Sequence, residues 1–161
     1  MSLSACGPLQ VDLRAFVAQP GRHHRLCTRD DGRTHDLGAG MMTEGEVAFD
    51  GTAWTQLGTL YATGTITATL VRRCRRCLKE TRTTMQLEES LEVPFAPDAD
   101  CVDLAPTILG AIAAVHDPLI LCQPDCRGLC PRCGANLNDD PRHRCPFAEK
   151  DERRRLGDLL R

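Results

Sequence analysis

The clearest pattern in this chain is an alternation of apolar and polar residues that begins near Glu46. Val47 and Phe49 open it, and two longer runs follow over residues 59–71 and 81–95. Period-two alternation with many threonines favours strands, because β-branched side chains fit a pleated, half-buried surface. The apolar positions of the two runs are Leu60, Ala62, Ile66, Ala68 and Leu70, then Met85, Leu87, Leu91 and Val93. The runs flank residues 74–79, so the sequence predicts a β-hairpin with cysteines at its tip.

The remaining segments have weaker or different patterns. Residues 1–45 are expected to be mostly irregular, apart from a short helix over 12–19 that Pro20 and Gly21 end. Asp103 is predicted to cap a helix that has Pro106 in its first turn and ends near Asp117. Residues 122–145 have no periodicity, and residues 149–161 can form a charged terminal helix. The apolar face of the helix after Asp103 is expected to contain Ile108, Leu109, Ile112 and Val115.

Composition narrows the class of protein. The chain has 161 residues, of which 42% are hydrophobic but only 4% aromatic, so its core must consist mainly of aliphatic side chains. It contains 10 cysteines. Neither a leader-like segment nor an apolar run long enough to span a bilayer is visible, so a cytoplasmic protein without membrane contact is expected. In a reducing compartment, dense cysteines indicate metal binding rather than a disulfide framework.

The cysteines occur at metal-ligand spacing. Cys74 and Cys77 form one C-x-x-C pair, and the remaining ligand candidates follow in the C-terminal third: Cys122, Cys126, Cys130, Cys133, His143 and Cys145. Eight ligands make two tetrahedral zinc sites. Gly134, directly after Cys133, suits a knuckle in which the chain turns beneath the metal at positive φ. Cys6, Cys27 and Cys101 are isolated and are taken as ordinary residues.

The spacing leaves the pairing of these ligands open. Cys130, Cys133, His143 and Cys145 can close a local site, in which case Cys74 and Cys77 join Cys122 and Cys126. Alternatively, the four cysteines from Cys122 to Cys133 form one site and leave Cys74 and Cys77 free. One or two structural zinc ions are therefore expected.

These patterns together predict an α+β protein. We expect a small antiparallel β-sheet or hairpin domain with one helix, followed by an irregular zinc-bound segment. The predicted organisation is a weakly structured segment over residues 1–45, a β-rich domain with a helix over 46–121, and a zinc-binding segment with a terminal helix over 122–161.

Charge is strongly segregated although the net charge is only −2. Six cations lie between residues 72 and 82 with one acid among them, whereas residues 83–121 contain seven acids and no Lys or Arg. A basic block of this kind indicates a local contact with a polyanion, and a solvated hairpin tip is the plainer alternative.

The cysteine segments resemble a known family. Cys74-Arg75-Arg76-Cys77-Leu78 at a hairpin tip, a helix after Asp103, and the string from Leu121 through Cys126-Arg127-Gly128-Leu129-Cys130-Pro131-Arg132-Cys133-Gly134 to Asn138 are similar to the YceD family, the large ribosomal RNA subunit accumulation proteins. The resemblance covers residues 46–161. It implies a non-enzymatic bacterial or plastid factor needed for large-subunit ribosomal RNA to accumulate. His143-Arg144-Cys145 replaces the C-x-C pair that is common in that family.

The leading hypothesis is a zinc-stabilised factor that binds ribosomal RNA or a pre-ribosomal particle. Its expected phosphate contacts are Arg72, Arg73, Arg75, Arg76, Lys79, Arg127 and Arg132. Because aromatic residues are few, recognition of the RNA backbone or shape is expected rather than readout of unpaired bases.

Two other functional classes fit the sequence less well. An enzyme is disfavoured: no H-x-E motif of a zinc deaminase occurs, closed four-ligand sites leave no open position, and no small-molecule substrate is expected. An adaptor remains the alternative, in which the acidic run over residues 88–103 contacts a ribosomal or other basic protein.

Overall fold

The computed structural model describes residues 6–115 and 119–147, and within them it is mostly antiparallel β-structure with two helices. This confirms the α+β class. In chain order the elements are β1 Gln10–Asp12, α1 Arg14–Ala18, β2 His24–Asp30, β3 Met42–Gln56, β4 Thr59–Arg73, β5 Glu80–Pro94, β6 Cys101–Asp103 and α2 Ala105–Ala114.

The chain divides into two compact units. The first, here called the sheet unit, comprises Met1–Arg72 and Glu80–Pro118, and the second, the cysteine unit, comprises Arg73–Lys79 and Leu119–Arg161. These boundaries differ from the predicted ones. The N-terminal segment belongs with the strands, and the tip of the hairpin belongs with the C-terminal segment.

A four-stranded sheet in the order β2-β3-β4-β5 organises the sheet unit. β3 and β4 are antiparallel neighbours joined by the two-residue turn Leu57-Gly58, in which both residues have positive φ. Such a turn matches the twist of the paired strands. β4 and β5 are also neighbours, and residues 74–79 connect them as the sequence predicts.

The core lies on one face of this sheet. Phe49, Leu60 and Ile66 are fully buried there, as alternate positions of a strand should be. Ile108 and Ile112 of α2 are buried as well, because residues four apart share one face of a helix.

α2 begins close to the predicted start, but its N-cap residue is Leu104 rather than Asp103. Its buried apolar face also contains fewer residues than the sequence predicts. The Ala105 N–H donates to the Asp103 carboxylate at 2.9 Å, and Pro106 lies in the first turn. Val115, expected on the apolar face, is 48% exposed. The predicted end at Asp117 lies outside the described residues.

The expectation of a weakly structured N-terminal segment is wrong for residues 10–30. They form β1 and β2 as well as α1, which confirms the short helix expected over residues 12–19, and β2 pairs with β3 along its whole length. The sequence obscured β2 because two of its three buried residues, Thr28 and Asp30, are polar. Asp30 is stabilised in this position by His35, whose Nε2 lies 2.9 Å from the carboxylate.

Cys6 and Cys101, expected to be ordinary isolated cysteines, are joined by a disulfide. β1 and β6 form a separate two-stranded antiparallel sheet in which Asp12 is opposite Cys101. The two cysteines are 95 residues apart in sequence. Spacing along the chain therefore gives no sign of their proximity.

The described part of the cysteine unit, residues 73–79 and 119–147, contains no helix and no strand of its own after the end of β4 at Arg73. An isolated bridge between Leu129 and Asn136 is its most regular feature. The absence of periodicity over residues 122–145 thus correctly predicted that this segment forms neither a helix nor a strand. The predicted terminal helix over 149–161 lies outside the described residues. None of the helices described is long and apolar enough to cross a bilayer.

Candidate metal centres

The cysteine unit brings the eight predicted ligands together in two clusters. Cys74, Cys77, Cys122 and Cys126 form the first cluster, and Cys130, Cys133, His143 and Cys145 form the second. Within each cluster the ligand atoms all lie within 4.8 Å of one another. This grouping is the first of the two arrangements that the spacing allowed.

The first knuckle is built by the backbone around Cys74. The Cys74 N–H donates to the Lys79 carbonyl at 2.8 Å, and the Leu78 N–H donates to the Cys74 carbonyl at 2.9 Å. These bonds fold residues 74–79 into a tight loop with both sulfurs on the same side. Leu78 has a φ of 59°, in the left-handed region that costs an L-residue roughly 1–2 kcal/mol.

The second knuckle repeats this hydrogen-bond pattern. The Cys130 N–H donates to the Ala135 carbonyl at 2.8 Å, and the Gly134 N–H donates to the Cys130 carbonyl at 2.9 Å. Gly134, which occupies the position of Leu78, has a φ of 73°. Glycine adopts this conformation without steric cost, so the two knuckles share a geometry and differ in backbone strain.

The first cluster joins chain segments that are far apart in sequence. The Cys74 and Cys126 sulfurs are 3.7 Å apart, and those of Cys77 and Cys122 are 3.4 Å apart. Cys74, Cys77 and Cys126 are buried. Asn138 Nδ2 lies 3.3 Å from the Cys126 sulfur and donates to it, which helps to stabilise a thiolate.

Arg76 connects the two segments of the first cluster through its side chain and backbone. Its guanidinium donates to the Cys126 carbonyl at 2.8 Å, and its own carbonyl accepts from the Leu129 N–H at 3.1 Å. Gly128, at a φ of 79°, lies beside this carbonyl, and an added Cβ would be 3.1 Å from the oxygen. The close approach of the two segments therefore favours glycine at position 128.

The second cluster closes a short local loop. His143 Nε2 lies 3.2 Å from the Cys133 sulfur, so the ring nitrogen faces the other ligands. The His143 N–H donates to the Asp140 carbonyl at 3.1 Å, which fixes the backbone of this ligand. Cys133, His143 and Cys145 are only partly buried, whereas three of the four ligands of the first cluster are buried.

Backbone N–H groups favour ionisation of the leading thiol in each knuckle. Burial acts to raise the pKa of Cys74, but N–H groups of Cys77, Arg76 and Cys122 donate to its sulfur, and the net result is a pKa lowered to about 6.

The corresponding thiol of the second knuckle behaves in the same way. Backbone N–H groups of Cys133 and Arg132 are the main reason that the pKa of Cys130 is lowered to about 6. The loop that places two sulfurs together thus also prepares one of them to bind a metal as a thiolate.

Other thiols of the clusters have raised pKa values. Burial, followed by the neighbouring sulfurs of Cys77, Cys126 and Cys74, raises the pKa of Cys122 to about 12. Sulfurs this close cannot all ionise without a cation among them, because like charges repel. Four thiolates, or three thiolates and one imidazole, are ligand sets of structural zinc sites, so both clusters can hold a metal ion.

The predicted phosphate-binding residues fall into two groups. Arg73, Arg75 and Lys79 are exposed, and among the described residues no hydrogen bond or ion pair of their side chains is found. Three other guanidinium groups donate to backbone carbonyls of the cysteine unit: Arg76 to Cys126, Arg127 to Pro141 and Arg132 to Phe147. The second group therefore has a structural role that sequence reasoning missed.

Arg72 belongs to the sheet unit and differs from both groups. It is partly buried, and its Nε has no hydrogen-bond partner among the described residues. The sequence did not indicate the contact of Asn138 with the Cys126 sulfur. The position of Asn138 between the ligands Cys133 and His143 was the one available signal.

The comparisons with known proteins give sequence relatives but no family. The chain is 34% identical over 99 residues to uncharacterized proteins of Mycobacterium bovis and Mycobacterium tuberculosis, in an alignment that covers 51% of this chain and 47% of each relative. The chain thus spans about half the length of the curated relatives it matches. No family model matches the sequence, and no solved structure matches it.

Proposed function

We propose that this chain is a zinc-stabilised, non-enzymatic cytoplasmic factor that supports large-subunit ribosomal RNA accumulation by binding the RNA backbone. The observation that carries the proposal is the cysteine unit, in which Arg73, Arg75 and Lys79 are exposed beside the ligands of the first cluster. Its residues 73–79 and 119–147 contain eight Lys and Arg residues against three Asp. The resemblance of its cysteine segments to the YceD family adds the ribosomal context.

Closed ligand sets favour a structural role for zinc. Four protein ligands complete a tetrahedron and leave no position for substrate or water. The metal then supplies order where the sequence has no apolar periodicity, because binding free energy becomes folding free energy.

The exposed cations are suited to phosphate. An arginine presents a planar fork that can donate two hydrogen bonds to one phosphate, and Lys79 adds a point charge beside it. Because Arg73 and Arg75 have no acidic partner in the described residues, phosphate need not displace one. Each phosphate contact should contribute roughly 0.7–0.9 to the salt dependence of log affinity.

The test compares RNA affinity across salt concentrations for matched variants. Ribosomal RNA fragments are titrated with the zinc-loaded protein, with the double variant Arg73→Ser/Arg75→Ser, and with the charge-matched control Arg14→Ser/Arg33→Ser in the sheet unit, outside the basic block. We expect the first variant to weaken binding and reduce the salt slope by roughly 1.5, and the control to do neither. Equal loss in both variants, or binding that is insensitive to salt, contradicts the proposal.

A second candidate, an adaptor for a basic protein, is favoured by one feature of the sheet unit. Leu57 is 97% exposed at the tip of the β3–β4 turn, beside a cavity of about 270 Å³ lined by Val17, Pro20, Phe95 and Pro97. Asp98 and Asp100, from the acidic run, follow this apolar surface. Capture of ribosomal proteins that survives nuclease and is lost in Leu57→Asn would favour the adaptor. Asn-Gly suits the same turn, so the variant should fold.

A further inference from the structure

The outer face of the four-stranded sheet displays a stack of three aromatic rings. The ring centroids of His23 and Trp54 are 4.3 Å apart with an interplanar angle of 17°, and those of Trp54 and Tyr61 are 5.6 Å apart with an angle of 14°. The chain has one Trp and one Tyr, and both belong to this stack. Nearly parallel rings in a row offer a surface on which a further flat ring can stack.

Strand register explains why these rings point away from the core. Trp54 of β3 is directly opposite Tyr61 of β4, whereas their sequence neighbours Ala53, Leu60 and Ala62 are buried. Successive side chains of a strand point to opposite faces, so the aromatic pair lies on the solvent side. His23, just before β2, is exposed and extends the row.

Charge is distributed unevenly across this face. Arg25 and Arg29 of β2 share the outward side with the aromatic row, and Arg22 adjoins His23. Arg25 pairs with Asp50, Arg29 pairs with Glu46, and Arg22 donates to the side chain of Gln19. The Arg25 side chain is nevertheless 81% exposed, and such surface ion pairs contribute little. On the opposite edge, Glu88 of β5 bonds to Thr65. An anionic ligand is therefore favoured at the β2 edge and disfavoured at the β5 edge.

We propose that this aromatic row is a binding platform for an unpaired base of single-stranded RNA. The base stacks on the face of His23 that is turned away from Trp54, and Arg22 and Arg25 contact the adjoining phosphates. A sugar could stack on the same rings but would leave these guanidinium groups without an anion. The inference rests on the proposed RNA-binding function and deepens it, because stacking selects single strands over duplexes.

The test uses the full zinc-loaded chain and two RNA probes of equal length. Short single-stranded oligoadenylate is compared with an RNA duplex, and binding is followed by anisotropy of the labelled RNA and by intrinsic fluorescence. Trp54 is the only tryptophan, so its fluorescence reports on this site alone. We expect oligoadenylate to change Trp54 fluorescence and the duplex to leave it unchanged.

Variants separate stacking from phosphate contacts. His23→Ala removes the ring on which the base stacks and should weaken oligoadenylate binding about 5- to 100-fold without changing duplex binding. Tyr61→Leu, which removes the ring farthest from the base, should have a smaller effect. Trp54→Phe keeps a ring and should bind nearly normally, which also controls for folding. Thr67→Ala, on the same face but away from the rings, is the matched control and should have no effect.

The outcomes distinguish this inference from the function on which it rests. Oligoadenylate binding that leaves Trp54 fluorescence unchanged and tolerates His23→Ala overturns the platform but leaves the arginine-based proposal intact. Failure of both probes to bind overturns both. A fluorescence change caused by an oligosaccharide but not by oligoadenylate overturns the platform as an RNA site.

Discussion

The two ligand clusters are built on the same type of knuckle, but they connect residues that are separated by different distances along the sequence. In the first, ligands 45 and 52 residues apart converge and are mostly buried, whereas the second closes over a local loop and is more exposed. The same hydrogen bonds prepare Cys74 and Cys130 for metal. The comparison shows that ligand chemistry is set by the local loop, and that the structural importance of a site is set by which segments it joins.

The largest effect is expected from loss of the first cluster. Cys126→Ser removes a buried ligand of the first cluster, so residues 73–79 and 119–129 should lose their ordered structure. Structural zinc contributes about 10–16 kcal/mol in small zinc-finger domains. Native mass spectrometry and amide NMR dispersion would show this. Cys27 is exposed and lies outside both clusters, so Cys27→Ser is the control and should change neither the metal content nor the ordered structure. A Cys126→Ser protein that keeps its ordered structure would contradict this prediction.

A smaller effect is expected from loss of the second cluster. Cys145→Ser should remove one metal ion while the first cluster keeps its own, because no ligand is shared. Disorder should be confined to the loop over residues 130–147. Mass spectrometry gives the metal count, and hydrogen exchange locates the change. If both ions are lost together, the two clusters are not independent.

The third comparison concerns pH. Each thiol that must lose its proton on metal binding lowers the apparent affinity for the metal about tenfold for every unit by which the pH falls. Cys122, with a pKa of about 12, is in this class at neutral pH, and Cys74 and Cys130 join it below about pH 6. Metal release on acidification should therefore become steeper below pH 6 in both clusters. A chromophoric chelator would follow the release.

The smallest effect comes from exchanging the residues at which the knuckles differ. Leu78→Gly should stabilise the metal-bound first knuckle by about 0.5–1 kcal/mol, since the left-handed strain relieved exceeds the added entropy of the unfolded chain. Gly134→Leu should destabilise the second by about 0.5–1 kcal/mol, because the strain it adds exceeds the entropy it removes from the unfolded chain. Metal-dependent thermal unfolding would measure both. Changes of the same sign would show that backbone strain does not distinguish the knuckles.

The sequence was most informative where chemistry is local. The hairpin over β4 and β5 could be predicted because aliphatic and threonine residues alternate, and the knuckles because each C-x-x-C pair is complete within six residues. The grouping of the ligands could not be derived, since two arrangements had equal local spacing. β2 was missed because Thr28 and Asp30 are polar and buried, and burial of Asp30 depends on a partner, His35, that strand patterns do not reveal.

Long-range pairing explains the other omissions. Cys6 and Cys101 are brought together by pairing of β1 with β6, and His23, Trp54 and Tyr61 by the register of three strands. A count of aromatic residues suggested that no stacking surface exists. The structure shows that strand register aligns two half-buried rings and one exposed ring in a row.

The separation of ligands in the first cluster also imposes an order in time. During synthesis Cys74 and Cys77 emerge first, and Cys122 follows 45 residues after Cys77. At roughly 5–20 residues per second, this interval lasts about 2–9 s. For that period only two of the four ligands of the first cluster are present, so the cluster cannot close until the C-terminal segment has been synthesised.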